Sequence, residues 1–420
     1  MTEETLRPAD EAGAWADTAL VNDFEDTQPA QLAPHTLDIA FTGSGSEYFR
    51  IWIVNLLLTL ITAGIYYPWA KVRRLRYFHG NTLVDGAPLG YHADPKKMLK
   101  GYLLVSVMFA LYSAAGRFNP VAGLVAFVIV MLIWPALLKS SMQFRLANTS
   151  WRGLRLRFNG SLPGAYQAML PLFVPALIFV IVAAFIPQPE MQSNKPPAAL
   201  PAWFATLMIG YAVVMFGTLA LFPWLFKRLK AYQHQHSALA SQTTRFEATT
   251  GMFYKVYGKL FGVAMLGMVL FGIVVAIEFP MSGMQHGPSN DPAKMMKMVG
   301  IGMFFAMAYL FTVFVVIKPY ITARMQNLVW NNTLSDGLQF HSVLTFRSLL
   351  WLSLKNWFLV VLTLGLYWPF AAIARARLQL QAVSIESDIS LDALVSQARS
   401  KDGEAAGDAA GDLFGLDIGF

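Results

Sequence analysis

The sequence repeats one spaced pattern, and this repeat limits the possible folds more than any other feature. In each copy a proline is followed thirteen residues later by Asn-Thr and eighteen residues later by glycine. The three copies are Pro68, Asn81, Thr82 and Gly86; Pro135, Asn148, Thr149 and Gly153; and Pro319, Asn332, Thr333 and Gly337. Three matches at one spacing do not arise by chance, so the chain consists of internal repeats.

A second relation joins the two ends of the chain at an offset of 301 residues. The first copy contains Asn55, Leu58, Thr62, Gly64, Tyr66, Pro68, Ala70, Arg74 and Arg76, which match Asn356, Leu359, Thr363, Gly365, Tyr367, Pro369, Ala371, Arg375 and Arg377. The repeat is weaker at His236 and Ala382, which stand where other copies have asparagine. The first and last apolar segments are therefore copies of one element.

The composition places this repeated chain in a membrane. Hydrophobic residues make up 55%, charged residues 14%, and the mean hydropathy is +0.46, which is too apolar for an ordinary soluble domain. The basic residues cluster at the ends of apolar spans, where the positive-inside rule accounts for them without nucleic acid. We expect an all-α polytopic membrane protein with internal repeats and small β-hairpins in its cytoplasmic loops.

The chain divides into three regions. We expect residues 1-35 to form a disordered acidic tail, residues 36-385 the repeated transmembrane domain, and residues 386-420 an acidic C-terminal tail. About eight apolar spans occur, at 51-69, 101-115, 121-138, 168-186, 203-226, 260-277, 299-317 and 357-370. Basic residues concentrate in the loops on one side of these spans, which the positive-inside rule places in the cytoplasm.

The first and last spans each contain a threonine two residues before a glycine. A glycine near a hydroxyl residue is a place where a membrane helix can break. Each end segment therefore either crosses the membrane once, which we favour, or enters and leaves on one side. Broken helices in matching positions also mark polar pathways. The candidates for such a pathway, with hydrogen bonding between helices as the alternative role, are Asn55, Thr62, Gly64, Asn356, Thr363 and Gly365.

Each Asn-Thr of the repeat is followed by a turn signal. The pairs are Asp85-Gly86, Arg152-Gly153 and Asp336-Gly337, and residues of extended type flank them. Such pairs between alternating residues predict β-hairpins. Because asparagine suits the end of a helix near a turn, we predict that the three asparagines of the repeat are structural, each ending a helix and starting a hairpin.

The first copy also contains a longer run of motifs: Phe41-Thr-Gly, Tyr48-Phe49, Asn55, Thr62-Ala-Gly64-Ile-Tyr66, Pro68-Trp-Ala-Lys-Val-Arg73-Arg74 and Asn81-Thr82. This run resembles the signature of the YjgN family, bacterial inner-membrane proteins of unknown function. The resemblance covers residues 37 to 390. It implies a polytopic protein of the bacterial inner membrane, and it transfers no reaction, substrate or catalytic residue.

Few residues suggest chemistry. The absence of cysteine excludes thiolate metal sites and a cysteine nucleophile. Met281, Met284 and His286 have the soft donor atoms that suit Cu(I), and His234 with His236 forms a pair without a third ligand nearby. Space-filling methionines and a solvated histidine pair are the alternatives. We therefore predict no metal, no cofactor and no enzyme activity.

These observations lead to two functional hypotheses for an integral inner-membrane protein. Matching broken spans suggest transport of a small or amphiphilic solute. Spans nearly free of charge and ordered inner hairpins suggest instead a non-catalytic envelope assembly or scaffold protein. The expected partners are the lipid bilayer and either a membrane protein or a second copy of the chain, and nucleic acid is not expected.

Overall fold

The computed structural model describes residues 35–185, 202–278 and 292–402, and its central element is a closed antiparallel β-barrel. Its strands are β1 (His35–Phe41), β2 (Thr82–Val84), β3 (Ala87–Tyr91), β4 (Thr149–Trp151), β5 (Leu154–Phe158), β6 (Ser237–Leu239), β7 (Gln242–Phe246), β8 (Thr333–Ser335), β9 (Leu338–Ser342) and β10 (Val383–Ser387). Each strand pairs with the next one along the chain. The pairing of β10 with β1 closes the barrel.

Pairs of helices connect the strands. They are α1 (Gly45–Ile61), α2 (Tyr67–Gly80), α3 (Pro95–Phe118), α4 (Pro120–Ala147), α5 (Leu162–Phe185), α6 (Ala202–His234), α7 (Thr250–Glu278), α8 (Pro292–Phe311), α9 (Lys318–Trp330), α10 (Phe346–Leu362) and α11 (Trp368–Leu380), and α12 (Leu391–Asp402) follows the last strand. A π-helical segment, Thr312–Ile317, joins α8 to α9. The order strand, helix pair, strand occurs five times, so the chain consists of five units.

Each β-hairpin is shared between two neighbouring units. Its turn joins the last strand of one unit to the first strand of the next. All the turns therefore lie at one end of the barrel, and all the helix pairs leave from the other end. The terminal strands β10 and β1 take the place of a fifth hairpin without a turn that joins them, and Leu37 pairs with Ile385.

Alternating burial explains why these short segments are strands. In β5, Leu154 and Phe158 are buried, whereas Arg155 and Arg157 between them are exposed. Residues of a closed barrel alternate between its interior and its exterior. The apolar residues therefore line the interior and the arginines cover the outside.

The predicted fold class, all-α with small separate hairpins, is wrong because the hairpins join into one closed barrel of ten strands. The pairs that join them connect distant residues, such as Leu89 with Trp151 and Phe246 with Thr333. Turn signals report only local pairing. An isolated hairpin leaves its outer backbone groups unpaired and is marginally stable, so closure into a barrel supplies the missing hydrogen bonds.

The helices form a ring that continues the barrel. In the described part of the chain, neighbouring helices pack in order from α1 to α7 and from α9 to α11, α7 packs against α9, and α11 packs against α1. Helix α8 joins the ring through the π-helical segment. The buried apolar residues at this level form five clusters where strands pass into helices, rather than one central core. The buried apolar contacts are therefore distributed around the ring.

Four helices within the described ranges are long and apolar enough to cross a membrane. They are Pro95–Phe118, Val121–Ala147, Met208–His234 and Gly302–Trp330. Only 11% to 17% of the most apolar stretch in these helices is buried within the protein. Apolar surface of this extent is stable in the hydrocarbon of a bilayer and not in water.

The end spans have a different form. Segment 51-69 divides into α1 and α2 at a tight turn, in which Ala63 and Gly64 have φ values of 47° and 91°. Leu364 and Gly365 form the same turn between α10 and α11, with φ values of 48° and 93°. Both helices of each pair attach to the barrel, so the chain turns back, as in the re-entrant arrangement.

The folded region continues past residue 385. Strand β10 ends at Ser387, and helix α12, Leu391–Asp402, lies in the segment expected to be an acidic tail. Residues 1–34 lie outside the described part of the chain. Helix α12 packs against the turn end of the barrel and is therefore part of the folded region.

Candidate functional site

A buried proline marks the returning helix of every unit. Pro68, Pro319 and Pro369 lie in the first turn of α2, α9 and α11, whereas Pro135 and Pro223 lie within α4 and α6. All five are buried. Because proline cannot donate the helical hydrogen bond, each helix begins or is interrupted there, and an inner helical segment of similar length leads to the barrel in all five units.

The repeated asparagines lie at the barrel end of these segments. The side-chain amides of Asn81, Asn148 and Asn332 donate to backbone carbonyls four residues earlier, at 2.7 to 2.8 Å. The hydroxyls of the threonines that follow, Thr82, Thr149 and Thr333, donate in the same way at 2.7 to 2.9 Å. Each Asn-Thr pair thus satisfies carbonyls left free at the end of a helix.

The weaker copies differ at this point. His236 uses Nδ1 to contact the Tyr232 carbonyl at 3.1 Å, in place of an asparagine amide. Ala382 has no polar side-chain atom with which to do so. The hairpin turns retain their glycines in the stronger copies, where Gly86, Gly153 and Gly337 have φ values of 69°, 86° and 80°. A side chain resists this left-handed backbone.

The candidates for a polar pathway lie in two adjacent helix pairs. The hydroxyls of Thr62 and Thr363 each donate to a carbonyl four residues earlier at 2.7 Å, and the two glycines form the turns described above. Asn55 and Asn356 are buried, and their amides donate to the carbonyls of residues 70 and 371 at 3.4 and 3.5 Å. The structure thus brings the two ends of the chain side by side around the ring.

The returning helices are cationic along their inner segments, between the buried prolines and the barrel. Together, α2, α4, α6, α9 and α11 contain 13 Lys and Arg residues and neither Asp nor Glu. Arg145 on α4 lies close enough to repel both His79 on α2 and Lys230 on α6. Burial lowers the pKa of His79, and the charge of Arg145 lowers it further, against a hydrogen bond to the Leu75 carbonyl. The inner segments of the returning helices therefore carry an excess of positive charge.

The residues considered for metal binding do not form a centre in the described ranges. His234 packs against Phe246 and Trp330, and His236 packs against Phe158 and Tyr232. The described residues contain no cluster of three or more His, Asp or Glu that could hold an ion. The loop with Met281, Met284 and His286 lies outside those residues.

Sequence reasoning missed the ion pairs at the turn end of the barrel. Arg152 pairs with Asp85 and with Asp392, each at 2.6 Å, and its guanidinium lies 4.8 Å from the Trp151 ring. Arg245 pairs with Asp336 at 2.9 Å. Asp85, Arg152 and Asp336 stand in the turn pairs that the sequence shows, but nothing in the sequence marks Arg245 or Asp392 as their partners.

The apolar helices, the cationic inner segments and the barrel define an integral membrane protein in which a ring of helices continues a β-barrel. The chain belongs to the family described as bacterial protein of unknown function (DUF898), which matches residues 36–413. It is 24% identical over 372 residues to the inner membrane protein YjgN of Salmonella typhimurium, covering 84% of this chain and 90% of the relative. It is 24% identical over 345 residues to the protein of that name from Escherichia coli K12, covering 79% and 84%.

These matches confirm the resemblance to the YjgN family and the inner-membrane location. No solved structure matches the chain. The names of the relatives give a location and no activity, so a molecular function has to be argued from the geometry.

Proposed function

We propose that the helix ring and the barrel form one conduit for an anionic amphiphile, such as a lipid with a phosphate headgroup. The observation that carries this proposal is the closed ring of helices seated on a closed barrel. Such an arrangement separates an inner surface from the surrounding lipid. The proposed activity is not enzymatic, because the solute moves without a bond being made or broken.

The exposed faces of α3 support an apolar inner surface. Leu103, Val107 and Leu111 lie on one face and are 49%, 53% and 64% exposed. Tyr102 and Phe109, 41% and 69% exposed, lie on a face roughly opposite, at about 100° per residue. In the proposed conduit, one of these apolar faces contacts the bilayer, and the opposite face contacts the acyl chain of a lipid inside the ring.

The charge of the returning helices supports an anionic headgroup. Their 13 Lys and Arg residues lie without Asp or Glu on the same helices, beside the buried prolines or along the inner segments that lead from them to the barrel. A basic residue near a membrane surface contributes about 1 kcal/mol to binding an anionic lipid. An amphiphile placed with its tail among the helices and its headgroup at the level of these inner segments satisfies both surfaces.

Lipid exchange in liposomes tests the proposal. The protein is reconstituted with phosphatidylglycerol that carries a fluorophore on its acyl chain, and an impermeant reductant bleaches the outer leaflet. We expect bleaching beyond the outer-leaflet half, and slower exchange of a zwitterionic phosphatidylcholine probe. Exchange at the rate of protein-free liposomes would contradict the proposal. Stable co-purification of other membrane proteins would then favour the scaffold alternative.

Charge variants locate the headgroup. Replacing Arg145 and Lys230 together by Ala removes two basic residues, which lowers exchange of the anionic probe by up to about thirty-fold. The matched control replaces Arg155 and Arg157 by Ala, because these arginines cover the outside of β5. Equal losses in both variants would show a general charge effect rather than a site within the ring.

A further inference from the structure

The chain leaves the barrel along a path across its turn end. The N–H of Asp388, just after β10, donates to the Gly337 carbonyl at 3.0 Å. Ile389 packs so closely on Gly337 that a Cβ there would lie 2.7 Å from its Cγ2. Gly337 belongs to the turn between β8 and β9. The path therefore begins at that turn.

Within a few residues the path reaches two other turns. Asp392 pairs with Arg152 of the turn between β4 and β5, and Arg152 pairs with Asp85 of the turn between β2 and β3. Around the barrel, Gly337 and Arg152 are separated on one side by the hairpin of β6 and β7. On the other side they are separated by the pair β10 and β1 and by the hairpin of β2 and β3. Residues 388 to 392 therefore connect separated parts of the rim.

Helix α12 adds apolar contacts within this opening. Leu394 and Val395 are buried, and with Leu391 they occupy one face of the helix at spacings of three and four residues. Val395 forms a cluster with Trp151 and Leu154. The residues packed against this cluster are Val84, Ala87, Leu89, Leu239, Ala240 and Leu391. The cluster includes residues from every strand between β2 and β6, about half of the barrel, so α12 packs across this part of its turn end.

We propose that residues 388–402 are a gate that closes the turn end of the barrel, with the Asp392–Arg152 ion pair as its latch. The latch is suited to release, because the Asp392 side chain is 90% exposed and such pairs are weakened by salt. Its effect on transport rests on the conduit proposed above. Its opening can be measured independently of transport.

A single cysteine inside the barrel reports the opening. The chain contains no cysteine, so Leu156→Cys provides a unique thiol. Leu156 lies on the same face of β5 as Leu154, which belongs to the α12 cluster. A small, charged, impermeant thiol reagent is applied to inside-out membrane vesicles, which expose the side predicted to be cytoplasmic. In the otherwise unchanged protein we expect slow labelling that accelerates at high salt.

Three variants of this reporter protein test the latch. Asp392→Arg replaces attraction by repulsion, and we expect labelling to accelerate by about five-fold, the range of an exposed ion pair. Truncation after Ser387 removes the gate and should accelerate labelling further. Asp85→Asn is the matched control, because it removes the charge of another partner of Arg152 and leaves α12 untouched. Labelling in this control should remain slow.

The outcomes separate the gate from the conduit. Unchanged labelling in both Asp392→Arg and the truncated chain, each eluting as a monodisperse species, would overturn the gate. Equal acceleration in Asp85→Asn would also overturn it, since this would show a loosened rim. Faster labelling without faster lipid exchange would support the gate and contradict the conduit. Faster labelling with faster exchange supports both.

Discussion

The first and last helix pairs have the same backbone but different buried contacts. In both turns a threonine hydroxyl accepts a hydrogen bond from the backbone N–H four residues later, from Tyr66 to Thr62 at 3.0 Å and from Tyr367 to Thr363 at 2.9 Å. The positive φ values that follow agree within 2°. Local chemistry therefore preserves the turn in both copies.

The side chains beside the two turns have diverged. Arg73 donates to the amide oxygen of Asn55 at 3.3 Å. Ala374 occupies the matching position in the last pair, and the amide oxygen of Asn356 is buried without a partner. Likewise, Asn81 ends the first pair and Ala382 ends the last. The comparison indicates that the turn and the amide bonds of the two asparagines are shared, whereas the contacts of the asparagine oxygens and the residue at the end of each pair differ between the copies.

The largest expected effect comes from breaking the shared turn. Gly64→Val and Gly365→Val each place a branched side chain at a φ above 90°, which costs about 1 to 3 kcal/mol of backbone strain. We expect similar losses in the free energy of unfolding, measured by chemical denaturation in detergent. Gly258→Val is the control. A side chain at this position also meets no neighbouring atom, but the backbone of Gly258 has an ordinary helical φ. Clearly unequal losses would show that the two turns are not equivalent.

The buried asparagines should respond in opposite directions. Asn55→Leu breaks the hydrogen bond from Arg73 and should lower the free energy of unfolding by about 1 kcal/mol. Asn356→Leu removes an unpaired buried oxygen and should be neutral or stabilising. Thermal unfolding of the two variants beside the unchanged protein measures the difference. An equal loss in both would mean that the Asn356 oxygen has a partner in solution, such as a bound water molecule.

The smallest change in the free energy of unfolding is expected from restoring an asparagine at the end of the last helix pair. Asn81 donates to the Tyr77 carbonyl at 2.8 Å and accepts from Thr42 at 3.1 Å, so Asn81→Ala should cost about 1 kcal/mol. Ala382→Asn should add a few tenths of a kcal/mol by restoring the first bond. Hydrogen exchange in the adjoining strands measures both changes. If Ala382→Asn did not slow hydrogen exchange in the adjoining strands, this would show that the last copy has no room for the amide.

The sequence allowed the local elements to be predicted, because their signals are local. Asp85-Gly86 and Arg152-Gly153 have the positive φ that their turns require. The inner-membrane location followed from apolar spans and from the family motifs. Closure of the barrel could not be predicted, because its strands have three to seven residues and pair across distances such as Leu37 to Ile385.

The candidate site was predicted only in part, for a similar reason. Leu391, Leu394 and Val395 follow a helical spacing, but the acidic composition around them favoured an unstructured tail. The charges at the rim gave no indication of their partners, since Arg152 lies 67 residues from Asp85 and 240 from Asp392. Pairings of this kind are determined by the closed barrel and not by neighbouring residues.

The pairing of β1 with β10 also determines when the barrel can close during biosynthesis. The first strand leaves the ribosome early and finds β2 on one side, but its other neighbour is translated more than 340 residues later, as His35 pairs with Ser387. Throughout elongation the nascent chain therefore carries an open sheet edge. Completion of the last strand converts this edge into a finished ring, so a chain that ends before Val383 lacks the strand that closes the barrel.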